Sequence, residues 1–367
     1  MENVKENRYG EAYQAGYEEG IRYGGCQAVL ERIPPVSRPK VDLRVLYVPQ
    51  GFDAIDAGVQ AALTELAREC VVASPEMMLQ ETLRVHPDLV LVMNSLHVFP
   101  PDHVSQLAQI RSMGIRTAVW FVDDPYFTDD SISLALSYDV VFTHEIECVP
   151  LYRSLGIRSV HHLPLAANPR QFRPLPAKPE YRYDVCFIGN AFWNRVGLFD
   201  RLSSFLQDKR VLIAGFHWDR LPRYELLSRF IRPGWIPVEE TVRYYNASKI
   251  VLNIHRPTQA GQDNRNGRDT PGGSINPRTY EIAGCGAFQI TDIRSDLVSY
   301  YQPGYDIETF RDEVELEAKI RYYLEHEEER RLIGWRSLWT TTTAHTYSDR
   351  VSRLLDAIAE SWFKNQP

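Results

Sequence analysis

The sequence predicts an α/β protein made of two parallel-sheet domains, on three observations. Short apolar runs bounded by turn residues alternate with stretches of helical periodicity, this pattern breaks once and restarts, and the break is rich in proline. The first set of runs falls at residues 43–48, 88–93, 115–122, 139–143 and 159–163, the second at 184–188, 210–214, 231–236, 249–254 and 287–291. Apolar strands separated by helices read as parallel sheets covered on both faces. Between the sets, Pro169, Pro174, Pro176 and Pro179 cannot continue a helix and stiffen a short strap.

The expected organisation is an N-terminal helical extension (1–37), a first Rossmann-like domain (38–168), a linker (169–180), a second Rossmann-like domain (181–345) and a C-terminal helix (346–367). Val351, Leu354, Leu355, Ile358 and Trp362 give that last helix one apolar stripe, which must dock, back towards the first domain. In the extension, residues 9–30 read as a helix with Tyr9, Tyr13 and Tyr17 four apart and Gly16, Gly20 and Gly24 on a neighbouring line. Glycine at this density weakens a lone helix. The extension is therefore either a surface for a protein partner or a piece folded onto its own domain.

Composition narrows the function. With 367 residues, 44% hydrophobic and 24% charged, the chain can bury two cores and keep a solvated surface. No stretch approaches the roughly 18 apolar residues of a membrane span, and the polar N-terminus carries no signal segment, so the expected location is the cytoplasm. The five cysteines form no C-x-x-C pair and suit reduced thiols, with neither disulfide nor zinc. A net charge of −7 argues against a nucleic-acid binder and leaves small phosphate ligands.

Ligands of open parallel sheets collect beyond the carboxyl ends of the strands, so the residues following each apolar run carry the information. The strongest segment runs from Ser274 through Glu281 to Gly286. Asn276 can cap a helix that begins at Pro277, where proline forfeits no intrahelical bond. The amides of that first turn offer a cradle for a pyrophosphate, and Arg278 adds a guanidinium fork. Glu281 lies one turn deeper on the same face, where a carboxylate can accept both hydroxyls of a ribose. The plain alternative is a surface pair between Arg278 and Glu281.

Other strand ends compete for roles. His255 and Arg256 follow a core run and can reach phosphate or sugar. The polar loop 257–273, with Arg265 and Arg268, is either a lid or a solvated loop. In the first domain, Asp123 and Asp124 close the apolar run 115–122. Adjacent desolvated carboxylates cannot both ionise cheaply, so one is expected to hold its proton and serve as general base, the alternative being a turn and helix cap. Gln50 to Asp53, Asn94 with His97, and His144 with Glu145 are further acceptor contacts, and His97 or His144 could replace the aspartates as base. Adjacent side chains diverge and no third ligand is evident, so no metal site is expected.

The second half, with its 160–168 segment, Phe172 to Pro174, Asp184 to Gly189, Arg195, Pro233 to Pro237, the 245–253 run and the Arg278/Glu281 helix, resembles the donor domain of GT-B glycosyltransferases, in particular the spore maturation CgeB-like group. The resemblance spans residues 41–352. It implies two Rossmann-like domains facing across a cleft and transfer of a sugar from a nucleoside diphosphate sugar, a UDP-sugar by family habit, to a hydroxyl on a glycan or protein acceptor. It implies no metal, retention rather than inversion, and a role in spore-surface, flagellin or other envelope glycosylation. Glu281 carries over as the ribose ligand, Arg278 and Arg195 as diphosphate ligands, the chain at Gly189 and Asn190 as part of the donor wall, and Trp235 and Ile236 as contacts to the base. Many relatives place a second glutamate eight residues before the ribose ligand, where this chain has Gly273. Ser274 and Asn276 are the expected substitutes for its sugar contacts. Two other readings stay open: a UDP-N-acetylglucosamine 2-epimerase-like enzyme, and a catalytically silent binding or coat-assembly protein.

Overall fold

The computed structural model describes residues 2–261 and 263–363, with side chains described for 12–261 and 263–361. Tyr9 and Trp362 of the patterns above lie outside the described side chains. Twelve strands form two six-stranded sheets. The first comprises β1 (Val41–Val48), β2 (Ala67–Val72), β3 (Leu89–Met93), β4 (Arg116–Phe121), β5 (Val140–Thr143) and β6 (Val160–His162), in the order β2-β1-β3-β4-β5-β6. The second comprises β7 (Val185–Ile188), β8 (Val211–Gly215), β9 (Ile231–Pro233), β10 (Ile250–Asn253), β11 (Gln289–Asp292) and β12 (Glu308–Phe310), in the order β12-β11-β10-β7-β8-β9. Every pairing is parallel.

The apolar runs form the inner strands because their side chains are covered on both faces. Leu89 to Met93 are all fully buried, for example. Two edge strands escape the sequence pattern. The six residues of β2, Ala-Arg-Glu-Cys-Val-Val, include two charged ones and bury only Ala67, and β12 is only three residues long. The run expected at 231–236 stops at Pro233 because Gly234 turns the chain with φ +97°.

Strand order reverses between β1 and β3 in the first sheet and between β7 and β10 in the second. Such switch points splay consecutive loops apart and open a crevice at the carboxyl ends of the strands. The two crevices meet: Gly51 to Ile55, after β1, share a cavity with Gly189 and Asn190, after β7.

The two end helices tie the sheets together. Helix Tyr347–Phe363 inserts Val351, Leu354, Leu355 and Ile358 into the core of the first sheet, a burial of about 1.5–3 kcal/mol for each side chain. Helix Glu2–Arg32 packs its later turns against helix Glu327–Ala344, where Trp335 lies over Gly25 and donates its indole N–H to Arg22 O at 3.1 Å. Gly16, Gly20 and Gly24 have open space around them, so the close approach falls on Gly25 instead of the line expected from their spacing. All five cysteines are free thiols, four of them buried.

Candidate active site

The cavity between the two switch points measures about 500 Å³. Six of the residues expected to contact the donor line it: Gly189, Asn190, Trp235, Ile236, Arg278 and Glu281. The first half contributes Gly51 to Ile55, and Tyr245 and Thr241 complete the wall. Trp235 is 66% exposed at the rim while Ile236 is buried, which leaves a broad ring face free for stacking.

Helix Pro277–Gly284 brings Arg278 and Glu281 to this cavity, and its N-terminus is built as the sequence suggests. Asn276 Oδ1 accepts the Thr279 amide at 3.1 Å, and Pro277 occupies the first turn. The cradle is narrower than expected, however. Pro277 has no N–H, the Asn276 amide donates to His255 Nε2 at 3.0 Å, and the Thr279 amide serves the cap. The Arg278 amide is left without a partner among the described residues, as is the Asn190 amide on the opposite side of the same cavity. Both residues, and the positive end of the helix at Pro277, line that one cavity.

The Glu281 carboxylate makes no hydrogen bond to the described residues. Burial pushes its carboxyl up to about 7, with Arg278 opposing the rise. The residue is only partly buried and lines the cavity, so a ligand entering there can supply the donors that the protein does not.

Several expected ligands are spent on the protein itself. Arg195 is 2% exposed and donates Nε and Nη2 to Ile254 O at 3.0 and 2.6 Å and Nη1 to Asn190 O at 2.8 Å. It braces the ends of β7 and β10 across the switch point. Its desolvated charge, held at about 9, reaches the site only as a field, alongside Arg278 and Arg256. His255 donates Nδ1–H to Asp292 at 2.6 Å and accepts the Asn276 amide at Nε2, so both ring nitrogens are engaged in placing the donor helix. Asn276 exchanges hydrogen bonds with Asn253 at 2.9 and 3.1 Å, which commits its amide to the cap. Ser274 faces the first half: its hydroxyl accepts the Ile146 amide at 2.9 Å, and its own amide donates to Glu145 at 3.1 Å. Those bonds commit Asn276 to the helix cap and Ser274 to the first half of the chain. At Gly273 a Cβ would meet Ser295 Oγ of the same half at 2.7 Å and Ile146 of the first half at 3.1 Å, so a side chain there would force both neighbours to shift.

The loop 257–273 is neither a free lid nor a solvated loop. Arg265 pairs its backbone with Tyr126 O and the Asp129 amide, Asn266 Oδ1 accepts from Thr128, and the Gly267 amide donates to Asp129. Together with Glu145 on the Gly273 and Ser274 amides, these bonds strap the two halves together. Arg256 is clamped by Asn264 and the Asp263 carbonyl, and its guanidinium lies 4.5 Å from the ring centres of both Tyr126 and Phe192. It faces Asp123 instead of the 500 Å³ cavity.

Among the base candidates the structure separates two groups. Asp124 is enclosed and accepts hydroxyls from Thr143, Tyr152 and Ser131. His144 is buried, its Nε2–H is given to Asp124 O at 2.6 Å, and burial holds its pKa at about 4. Neither has a path to an acceptor. Asp123 keeps 21% of its side chain exposed, accepts from Asn94 Nδ2 at 2.7 Å, and stands 3.8 Å from His97 Nε2. Desolvation raises its pKa, with Asn94, Arg256 and His97 opposing the rise in that order. Asn94, Ser95 and His97 all take positive φ, 61°, 57° and 59°. Non-glycine residues pay for that conformation, and here Gln50, Tyr138 and the Asn94 side chain enforce it.

The strand-end rule could have found Asp292, the partner of His255, since it closes β11. Nothing local signals that Tyr126 and Asp129 would receive the loop at 265–267, because those contacts join positions more than 130 residues apart.

Two facing Rossmann-type sheets with a nucleotide-sized cleft at their switch points define the GT-B architecture of glycosyltransferases. Residues 195–356 match a family described as glycosyl transferase-like. The chain is 28% identical to Spore protein CgeB of Bacillus subtilis (strain 168) over 330 residues, covering 85% of this chain and 98% of that one. Among solved structures, a glycosyltransferase from Rickettsia africae ESF-5 superposes with a TM-score of 0.59 at 10% identity, covering 89% of this chain and all of that one. Anabaena Alr3699/HepE in complex with UDP-glucose gives 0.59 at 8% identity, covering 87% of this chain and all of that one. No helix among the described residues is long and apolar enough to cross a membrane.

Proposed function

We propose that this protein is a glycosyltransferase that moves a sugar from a UDP-sugar to a hydroxyl acceptor at the cleft between its two sheets. The observation that carries the reading is the presence, in the lining of one cavity, of a partly buried carboxylate without a protein donor, Glu281, together with the Arg278 and Asn190 amides. A nucleoside diphosphate supplies the missing partners: ribose hydroxyls for Glu281, phosphate oxygens for the amides and the Arg278 guanidinium, and a flat base for Trp235. The Arg278 guanidinium, with the field of Arg195 behind it, then stabilises the charge that develops on the leaving diphosphate, without a metal ion in that role. Asp123, oriented by Asn94, takes the proton of the acceptor hydroxyl. That role goes with inversion at the anomeric carbon. Retention, which the family resemblance implies, would make Asp123 a ligand of substrate hydroxyls instead, and the anomeric configuration of the product tells the two apart. A glycan or protein of the spore surface, a flagellin or another part of the cell envelope is the acceptor this reading favours, with the reaction in the cytoplasm. The free turns around Tyr13 and Tyr17 are the place for a partner protein.

The direct test is calorimetry with UDP, GDP, dTDP and NAD. UDP should bind, and Glu281→Ala should weaken it by roughly 1–3 kcal/mol without unfolding the protein. Equal affinity in the variant would remove Glu281 from the donor site. Binding without turnover would favour a silent assembly protein, and UDP release without a glycosylated acceptor would favour an epimerase.

A pH dependence follows. Glu281 holds its proton more tightly in the folded chain, at about 7, than at its ordinary 4.5. Its contribution to stability is therefore full below the ordinary value and is lost as pH rises through about 7. Ribose hydroxyls need the ionised form, so UDP-glucose, whose phosphates do not titrate near neutrality, should bind more tightly at about pH 8 than at about pH 6. Glu281→Gln should flatten both trends. Unchanged slopes in calorimetry and thermal melts would contradict the assignment.

A further inference from the structure

A second cavity, of about 290 Å³, lies away from the cleft, at the amino ends of β7, β8, β10 and β11, where helices Glu2–Arg32 and Glu327–Ala344 cover the second sheet. Its charges do not balance locally. Glu19 is held by Arg22 and the Ala177 amide, Asp184 by Lys249 and the Arg210 amide, Glu327 by Arg331 Nη2, and Glu18 accepts from Gln14. Each carboxylate thus has its donors.

The cations are less well served. Arg330 is 5% exposed, yet no carboxylate among the described residues lies within ion-pair distance of it. Glu327, Asp184 and Glu18 attract it only from farther away, and desolvation pushes its pKa down. Its Nη1 donates to Tyr323 O, while Nε and Nη2 have no partner among the described residues. Beside it, Arg331 Nη1 is buried without a partner. Arg182 and Arg210 line the same cavity, and their guanidinium contacts are to backbone carbonyls and the Tyr183 ring. A buried guanidinium without a counter-charge is expensive, and several forked donors meeting in one enclosure match the oxygens of a phosphate.

We propose that this cavity binds a small phosphate-bearing anion, held by Arg330 and Arg331 with Arg182 and Arg210 as further donors. The ligand class is a phosphate monoester or inorganic phosphate, separate from the donor in the cleft. Because Ala15, Glu18, Glu19 and Arg22 form one wall, its binding would also fasten the N-terminal helix to the second sheet.

Calorimetry at constant ionic strength tests this with inorganic phosphate and, in parallel, glycerol 3-phosphate, on wild type, Arg278→Ala, Arg330→Met and Arg331→Met. Wild type and Arg278→Ala should bind alike, because the cleft is not the site. Arg330→Met and Arg331→Met should each lose about tenfold or more in affinity. In phosphate-free buffer Arg330→Met should melt no lower than wild type, since it removes an uncompensated buried charge. Should Arg330→Met fail to fold, Arg331→Met decides alone. Tighter binding of glycerol 3-phosphate identifies an organic monoester, and equal binding identifies free phosphate. Binding abolished by Arg278→Ala and kept in Arg331→Met, or no heat in any protein up to about 10 mM, overturns the proposal.

Discussion

Replacing Asp123 by asparagine is expected to lower turnover about 10²- to 10⁴-fold, the range of a general base, while leaving donor affinity unchanged. The side chain sits just beyond β4, beside Arg256 and outside the lining of the 500 Å³ cavity. Asn94 fixes it from two sides, donating to its carboxylate and accepting the Val122 and Asp123 amides at 3.0 and 3.2 Å. Asparagine keeps the shape and one acceptor oxygen for that bond, so the variant should fold and bind UDP-glucose as wild type does. What it loses is the capacity to take a proton. Steady-state rates on the acceptor, read beside calorimetry of the donor, separate the two effects. Normal turnover would transfer the search to His97, which is 3.8 Å away and reaches the same space. Asp124→Asn, by contrast, should damage folding, since three hydroxyls are arranged around that buried carboxylate.

The second large effect is on stability. Arg350→Met should destabilise the protein by roughly 3–5 kcal/mol, because a fully buried guanidinium is the donor for carbonyls that nothing else can reach. Arg350 Nε donates to Pro164 O at 3.0 Å and Leu165 O at 3.2 Å, Nη1 to Ala344 O at 3.2 Å, and Nη2 contacts His345 Nδ1 at 3.2 Å. These carbonyls belong to the two places where the chain passes between the halves. There Ala167 also exchanges backbone bonds with His345 and Tyr347. Removing the guanidinium leaves those acceptors buried and unpaired at the junction of both sheets. Thermal and urea unfolding would register the loss, and a variant as stable as wild type would show that the crossing is held by packing alone.

The contrast between these residues marks what sequence could determine. Apolar runs locate inner strands because burial on both faces demands uninterrupted hydrophobic side chains, a local requirement. Asn276 before Pro277 announces a helix start for an equally local reason, and the stripe from Val351 to Ile358 announces a helix that must dock. On those grounds the two parallel sheets and the placing of Arg278 and Glu281 on one helix were legible from the chain itself. The edge strands β2 and β12 were not, because a half-solvated strand needs no apolar run.

Roles were another matter, since they depend on which hydrogen-bond donors and acceptors remain free once the chain has folded. Arg195, His255, Asn276 and Ser274 all stand near the cleft in sequence terms, yet each is satisfied by a group brought in from elsewhere: Ile254 O, Asp292, Asn253 and Ile146. Inside the first half, Asp124 is satisfied by three hydroxyls, and His144 spends Nε2 on the Asp124 carbonyl while Nδ1 stays buried without a partner. Glu281 differs from them because its carboxylate has no donor among the described residues, and Asp123, bonded to Asn94, because part of its side chain stays exposed. A residue's chemistry is written in the chain, but its availability is a sum over partners that may lie a hundred residues away, and only the folded arrangement closes that sum.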